Sequence, residues 1–139
     1  MTPEKMAKLH SNSEANHRIW HAREFAQILP LQGVFAECHQ HGFALARVID
    51  SEAELLLIVT HKMKQNTGLG TNCLLKIEQK LVENGARKLS LEVSESNKAA
   101  IQIYKKLNYK KISVRKSYSR DKYGKFEDAV VMQKDLLLI

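Results

Sequence analysis

The chain has 139 residues, 22 Lys+Arg against 15 Asp+Glu, a formal net charge of +7 and 44% hydrophobic residues. This suits a single domain over residues 1–139 that buries its own core and favours an anionic partner. The longest strongly apolar run, residues 55–59, is far short of the ~20 residues of a membrane span, residues 1–10 hold no apolar signal core, and Cys38 and Cys73 read as reduced thiols of a cytoplasmic protein.

The first thirty residues read as helical and polar, anchored by Trp20 and Phe25 and ended by Pro30. Residues 34–37 and 43–49 read as strands around a turn at Gln40, His41 and Gly42, and residues 54–60 as a third strand buried on both faces. A long helix is expected over 68–83, where Gly70, Leu74, Ile77 and Leu81 recur at helical spacing and Asn84-Gly85 gives a stop. Residues 88–93 alternate, with Leu89, Leu91 and Val93 on one face and Ser90, Glu92 and Ser94 on the other. Ser96 or Asn97 caps a further helix to about Leu107, with Ala100, Ile103, Tyr104 and Leu107 on its apolar face. Two last strands, residues 109–118 and 126–134, flank a turn at 122–125. A βαβ step inside an otherwise antiparallel sheet makes this a mixed α/β, or α+β, domain.

Gln65-Asn66-Thr67-Gly68-Leu69-Gly70-Thr71 lies between the buried strand and the long helix. A glycine-containing loop there presents backbone N–H groups at a helix N-terminus, which suits a diphosphate. The P-loop pattern fails because no Gly-Lys-Ser/Thr occurs at this site, and the dinucleotide fingerprint fails because its third glycine position is Cys73. What remains is Q/R-x-x-G-x-G/A, a short pattern that by itself is weak and fits a glycine-softened helix start better.

Further motifs stand in a fixed order: Gly42-Phe43-Ala44; Ile58-Val59-Thr60; the loop; Leu91-Glu92-Val93 followed by Ser96-Asn97; Ala100-Ile101, Tyr104 and Leu107; and Asp128-Ala129 with Met132. Together they resemble the RimI family, bacterial GNAT enzymes that acetylate the N-terminal amine of ribosomal protein S18, over most of the chain from Trp20 to Leu136. The resemblance implies the GNAT fold, a mixed, mostly antiparallel twisted sheet flanked by helices, with the family's first strand short or missing here. It implies acetyl-CoA as co-substrate, no metal, and a protein or peptide N-terminus such as that of S18 as partner, with no DNA or membrane, for a monomer or weak dimer. Ile58, Val59 and Thr60 would offer strand backbone to the pantetheine arm and thioester. The loop from Gln65 through Asn66, Thr67, Gly68, Leu69 and Gly70 to Thr71 would hold the pyrophosphate, and Asn97 would bind the cofactor arm. Glu92 would be the general base and Tyr104 the general acid.

The residue types alone allow ordinary roles too. Glu92 fits a solvated carboxylate on a polar strand face, Tyr104 a core tyrosine with a hydrogen-bonded hydroxyl, and Asn97 a helix N-cap. Cys38, His39 and His41 are too few for a metal site and read as polar turn residues, and His61 as a surface histidine. Arg115, Tyr118 and Asp128 fall in the terminal hairpin, the part that helps shape the peptide site in the resembled family. The chain departs from that family at His61-Lys62, at Asn108 after the acid helix, and at Tyr118-Ser119, where a tyrosine pair is usual. Two other readings are an acetyltransferase of a different amine (a small molecule, a lysine or an aminoacyl-tRNA) and a basic ribosome- or RNA-binding module.

Overall fold

The computed structural model describes residues 1–13, 18–65, 67–120 and 123–136, with backbone only at Ser119 and Arg120. Two short helices come first. α1 (Pro3–Ser11) starts with proline in its first turn, and Thr2 Oγ1 accepts the Lys5 N–H at 3.1 Å. α2 (Ala22–Ile28) is closed by Glu24, which reaches back to the His21 N–H at 3.0 Å and holds Arg18 at 2.7 Å. β1 (Val34–His39), β2 (Gly42–Ile49) and β3 (Glu52–Thr60) follow as a meander. A 3-10 turn (Lys62–Lys64) leads to α3 (Leu69–Glu83), β4 (Lys88–Ser94), α4 (Lys98–Lys106), β5 (Lys110–Arg120) and β6 (Phe126–Asp135).

The strands form one sheet in the order β1-β2-β3-β4-β6-β5, antiparallel except for the parallel β3–β4 pair. Among the described residues β1 stands at one edge of the sheet. Lys80 of α3 guards that edge, donating to Ala36 O at 3.1 Å and pairing with Glu37 at 3.2 Å.

Alternation along the strands builds a core on each face. Phe43, Leu45, Leu57 and Val59 pack with Met6, Leu9 and Phe25 under α1 and α2. Ala44, Ala46, Leu55, Leu89, Leu91 and Val93 pack with Leu74, Ile77 and Leu81 of α3 and Tyr104 of α4 on the other. Leu55 and Leu57 face opposite cores although two residues apart, because Leu45 pairs with Leu57 and Ala46 with Leu55, leaving Leu56 as a bulge. The third strand is thus covered on both faces, as its apolar run predicts.

That bulge lies where β3 leaves β4. The parallel pairing covers only Glu52 to Glu54 against Lys88 to Ser90, and beyond it the strands part. α4 ends as its sequence allows: Asn108 takes φ +75°, with its N–H on Lys105 O at 3.1 Å and the Tyr109 N–H on Tyr104 O at 2.9 Å. β5 runs past the expected end at Tyr118, because its pairing with β6 resumes at Ser119 after an irregularity that no apolar pattern announces.

Candidate active site

The parting of β3 from β4 opens a cleft of ≈ 550 Å³ on the α3/α4 side. One wall is Ile58, Val59 and Thr60; another is Gln65, Gly68, Leu69, Gly70 and Thr71; the third is Ser96, Asn97, Ala100, Ile103 and Tyr104 of the α4 region. The cleft therefore gathers most of the residues the sequence singles out for the donor. Asn66 lies outside the described residues.

Local backbone explains the loop. Gly68 caps α3 at φ +83° and ψ 0°, left-handed geometry that disfavours a side chain. The first bond within α3 runs from the Asn72 N–H to Gly68 O at 3.0 Å, so the N–H groups of Leu69, Gly70 and Thr71 stand at the helix start as donors for an anion. A Cβ at Gly70 would sit 3.4 Å from Thr60 Oγ1, an ordinary contact. The Gln65 side chain does another job: its Nε2 donates to Ser13 O at 2.6 Å and to Thr60 O at 3.1 Å, tying the loop to the α1 end and leaving its backbone for a ligand. Thr67 Oγ1 donates to Lys64 O in the same way. These donors fit a pyrophosphate.

β3 presents its backbone selectively. The His61 N–H bonds His41 O at 2.7 Å, which makes Val59–Phe43 a hydrogen-bonded pair and turns the Ile58 and Thr60 N–H groups toward the cleft. Asn97 keeps the cap role its position suggests, accepting the Ala100 N–H at 3.3 Å while lining the cleft. Tyr104 is 8% exposed and stacks edge-on to Tyr109 at 5.7 Å, and burial pushes its hydroxyl up to about 12. The expected hydrogen bond is not made to any described residue, and the Tyr104 side chain lines the cleft.

Glu92 lies on the opposite face of the sheet, in a second concavity of ≈ 780 Å³ with Arg47, Glu54, Ser90, Arg115 and Gln133. Its carboxylate pairs with Arg115 Nε at 3.1 Å, and its side chain is 28% exposed. Burial raises its pKa most; Arg115 opposes this and Glu54 adds to it. Sequence reasoning missed Lys64, which adds a cation to the cleft between β3 and α4, and Glu54, which joins the second concavity. Lys64 directly precedes the loop, a signal that was available; Glu54 comes from a strand whose partner only the fold reveals.

His61 is structural, its Nδ1 accepting the Met63 N–H at 3.1 Å. At the β1–β2 turn the His41 N–H bonds His39 Nδ1 at 3.1 Å. Among the described residues no three His, Cys, Asp or Glu are placed to hold a metal ion, and no helix is long and apolar enough to cross a membrane.

A mixed sheet split between two central strands, with a glycine-capped helix at the split, defines an acetyl-CoA-dependent acetyltransferase of the GNAT type. The chain belongs to the acetyltransferase (GNAT) family, whose family model matches residues 7–109. It is 30% identical, over 94% of its length and 90% of the relative's, to the [ribosomal protein bS18]-alanine N-acetyltransferase of Escherichia coli K12. It is 37% identical to the same-named enzyme of Haemophilus influenzae, over 66% of the chain and 62% of that protein. The crystal structure of the E. coli ribosomal-protein-S18-alanine N-acetyltransferase superposes with a TM-score of 0.81 at 28% identity, covering 96% of this chain and 88% of that one. Arabidopsis thaliana NAA60 in complex with acetyl-CoA shares the fold, with a TM-score of 0.78 at 13% identity over 96% and 92% of the two chains.

Proposed function

We propose that the protein moves the acetyl group of acetyl-CoA onto the N-terminal amine of a protein, with an S18-like, alanine-first N-terminus as acceptor. The observation that carries this reading is the gap between β3 and β4, which borders both concavities. The donor loop and Tyr104 stand on one face, and Glu92, with Glu54, on the other. Glu92 and Glu54 offer carboxylates to an amine in a concavity that also holds Arg47, Arg87, Lys88 and Arg115, and a relative spanning nearly the whole chain bears the name of an S18-alanine acetyltransferase.

The loop N–H groups and Asn97 hold the donor, and acetyl-CoA supplies the activated acyl group. A protein α-ammonium has a pKa near ~8 and must shed a proton to become a nucleophile, which Glu92 accepts directly or through a water. The Ile58 and Thr60 N–H groups point to where an oxyanion would need donors. The Tyr104 hydroxyl, kept protonated by burial, gives its proton to the departing thiolate. Alignment of donor and acceptor across one gap supplies much of the rate.

The test is mass spectrometry of an S18-like N-terminal peptide incubated with the protein and labelled acetyl-CoA. One label on the α-amine is expected, lost in the Glu92→Gln, Tyr104→Phe double variant. Labelling of a polyamine or a lysine side chain while the α-amine stays free would replace the proposed acceptor.

A further inference from the structure

The terminal hairpin contains an irregularity that the sequence motifs do not explain. Arg115 pairs with Ala129, but the next pairing joins Ser119 to Glu127, so β5 carries two residues more than β6 over this stretch. Ser117 there takes φ +49°, a left-handed conformation that is costly for a non-glycine residue. Asp128 holds it: Oδ1 accepts the Ser117 N–H at 2.9 Å, and Oδ2 takes Lys116 Nζ at 3.1 Å. The Ser117 bond, with Lys116 second, draws the Asp128 carboxyl below its ordinary range.

The bulge changes which side chains meet. In a regular strand, residues three apart point to opposite faces, so Arg115 and Tyr118 would be separated by the sheet. Here the Arg115 guanidinium carbon lies 4.7 Å from the Tyr118 ring centroid, a cation–π contact. The same guanidinium reaches across β6 to Glu92 on β4 at 3.1 Å.

We propose that Arg115 is a positioning residue for Glu92, and that Asp128, by locking the bulge at Lys116 and Ser117, is what sets Arg115 and Tyr118 against each other and aims Arg115 at that carboxylate. The role in catalysis rests on Glu92 being the base, as proposed above. Electrostatics agree with the geometry. The concavity around Glu92 holds Arg115 from β5, Glu52 and Glu54 from β3, Arg47 from β2, Lys88 from β4 itself, and Asp50 and Arg87 from the adjoining turns, while β6 offers the uncharged Val131 and Gln133; of the charged groups, Arg115 and Glu54 act on the Glu92 carboxyl. Burial and Glu54 push the Glu92 carboxyl up, and Arg115 draws it down. Without Arg115, Glu92 takes up its proton at higher pH and is a base over a narrower range.

The experiment follows the Glu92 carboxyl by 13C NMR titration, without substrates, in the parent protein and in Arg115→Gln, Asp128→Asn and Arg115→Lys. Arg115 is half exposed, so its variants should fold. The expected result is a titration moved to higher pH in Arg115→Gln, moved less in Asp128→Asn, and largely restored in Arg115→Lys. A Glu92 titration unmoved in both Arg115→Gln and Asp128→Asn overturns the proposal and leaves the acetyl-transfer reading intact. In parallel, the acid limb of kcat for the peptide should move to higher pH in Arg115→Gln together with the Glu92 titration, with KM for acetyl-CoA unchanged. A titration that moves in the variants, with a parent protein that acetylates no N-terminal peptide, would sink the acceptor reading and sustain the placing of Arg115 on Glu92.

Discussion

Gly68 and Gly70 share one motif, yet the structure assigns them different reasons for being glycine. Gly68 sits at φ +83° with nothing within 4 Å of an added Cβ, so its demand is purely conformational. Gly68→Ala should cost about 1–2 kcal/mol, the left-handed penalty for an L-residue. For a domain of this size that lowers the melting midpoint by roughly 3–8 °C. If the loop relieves the strain by rotating, the Leu69, Gly70 and Thr71 N–H groups turn away from the ligand, and acetyl-CoA affinity should fall about tenfold or more, a loss of ~1.4 kcal/mol. Gly70 is already helical, and an added Cβ meets Thr60 Oγ1 only at 3.4 Å. Gly70→Ala should therefore be neutral or stabilising by up to about 1 kcal/mol, with acetyl-CoA affinity nearly kept. The assays are urea denaturation without ligand and calorimetric titration with acetyl-CoA. Equal losses in the two variants, or an unaffected Gly68→Ala, would refute the reasoning.

Three further outcomes are expected. Glu78 is buried between α3 and β6, accepting the Tyr109 hydroxyl and Lys134 Nζ, each at 2.7 Å; Glu78→Ala strands a mostly buried ammonium and should cost about 3 kcal/mol or more in urea unfolding, with Glu78→Gln losing less. Asn108 already caps α4 at φ +75°, so Asn108→Gly should raise stability by a few tenths of a kcal/mol up to about 1, and Asn108→Val should lower it, as thermal melts would show. For pH, the raised Glu92 pKa means that the proposed base is lost on acidification earlier than an ordinary glutamate would be, so the acid limb of kcat/KM should stand above the usual glutamate range. Tyr104, at about 12, should stay protonated and add no alkaline limb below about pH 11; such a limb that disappears in Tyr104→Phe would contradict its environment.

Much was legible because it is local. Helical spacing in α3, alternation in β4 and the Asn97 cap are set by neighbours within a few residues, and the structure keeps each within a residue or two of its expected bounds. The two-sided burial of β3 follows from its dense apolar run. The Gln65 side chain was harder to read, since it spends its hydrogen bonds on Ser13, 52 positions away, and on Thr60. Glu92 was legible as the polar face of a strand and as a family-motif residue, but its neighbours Glu54 and Arg115 come from two other strands.

What the sequence by itself determined is the donor side. An anion-binding helix start is built from consecutive residues, and a glycine loop with its flanking strand and helix suffices to specify it. What only the tertiary structure decided is the side proposed for the acceptor: the bulge at Leu56 next to the parting of β3 from β4, the second concavity, and the Asp128-locked irregularity that brings Arg115 onto Glu92. These depend on strand register and on which strand becomes the neighbour of which. Pairing energies are summed over the whole sheet, so no short window of residues fixes them.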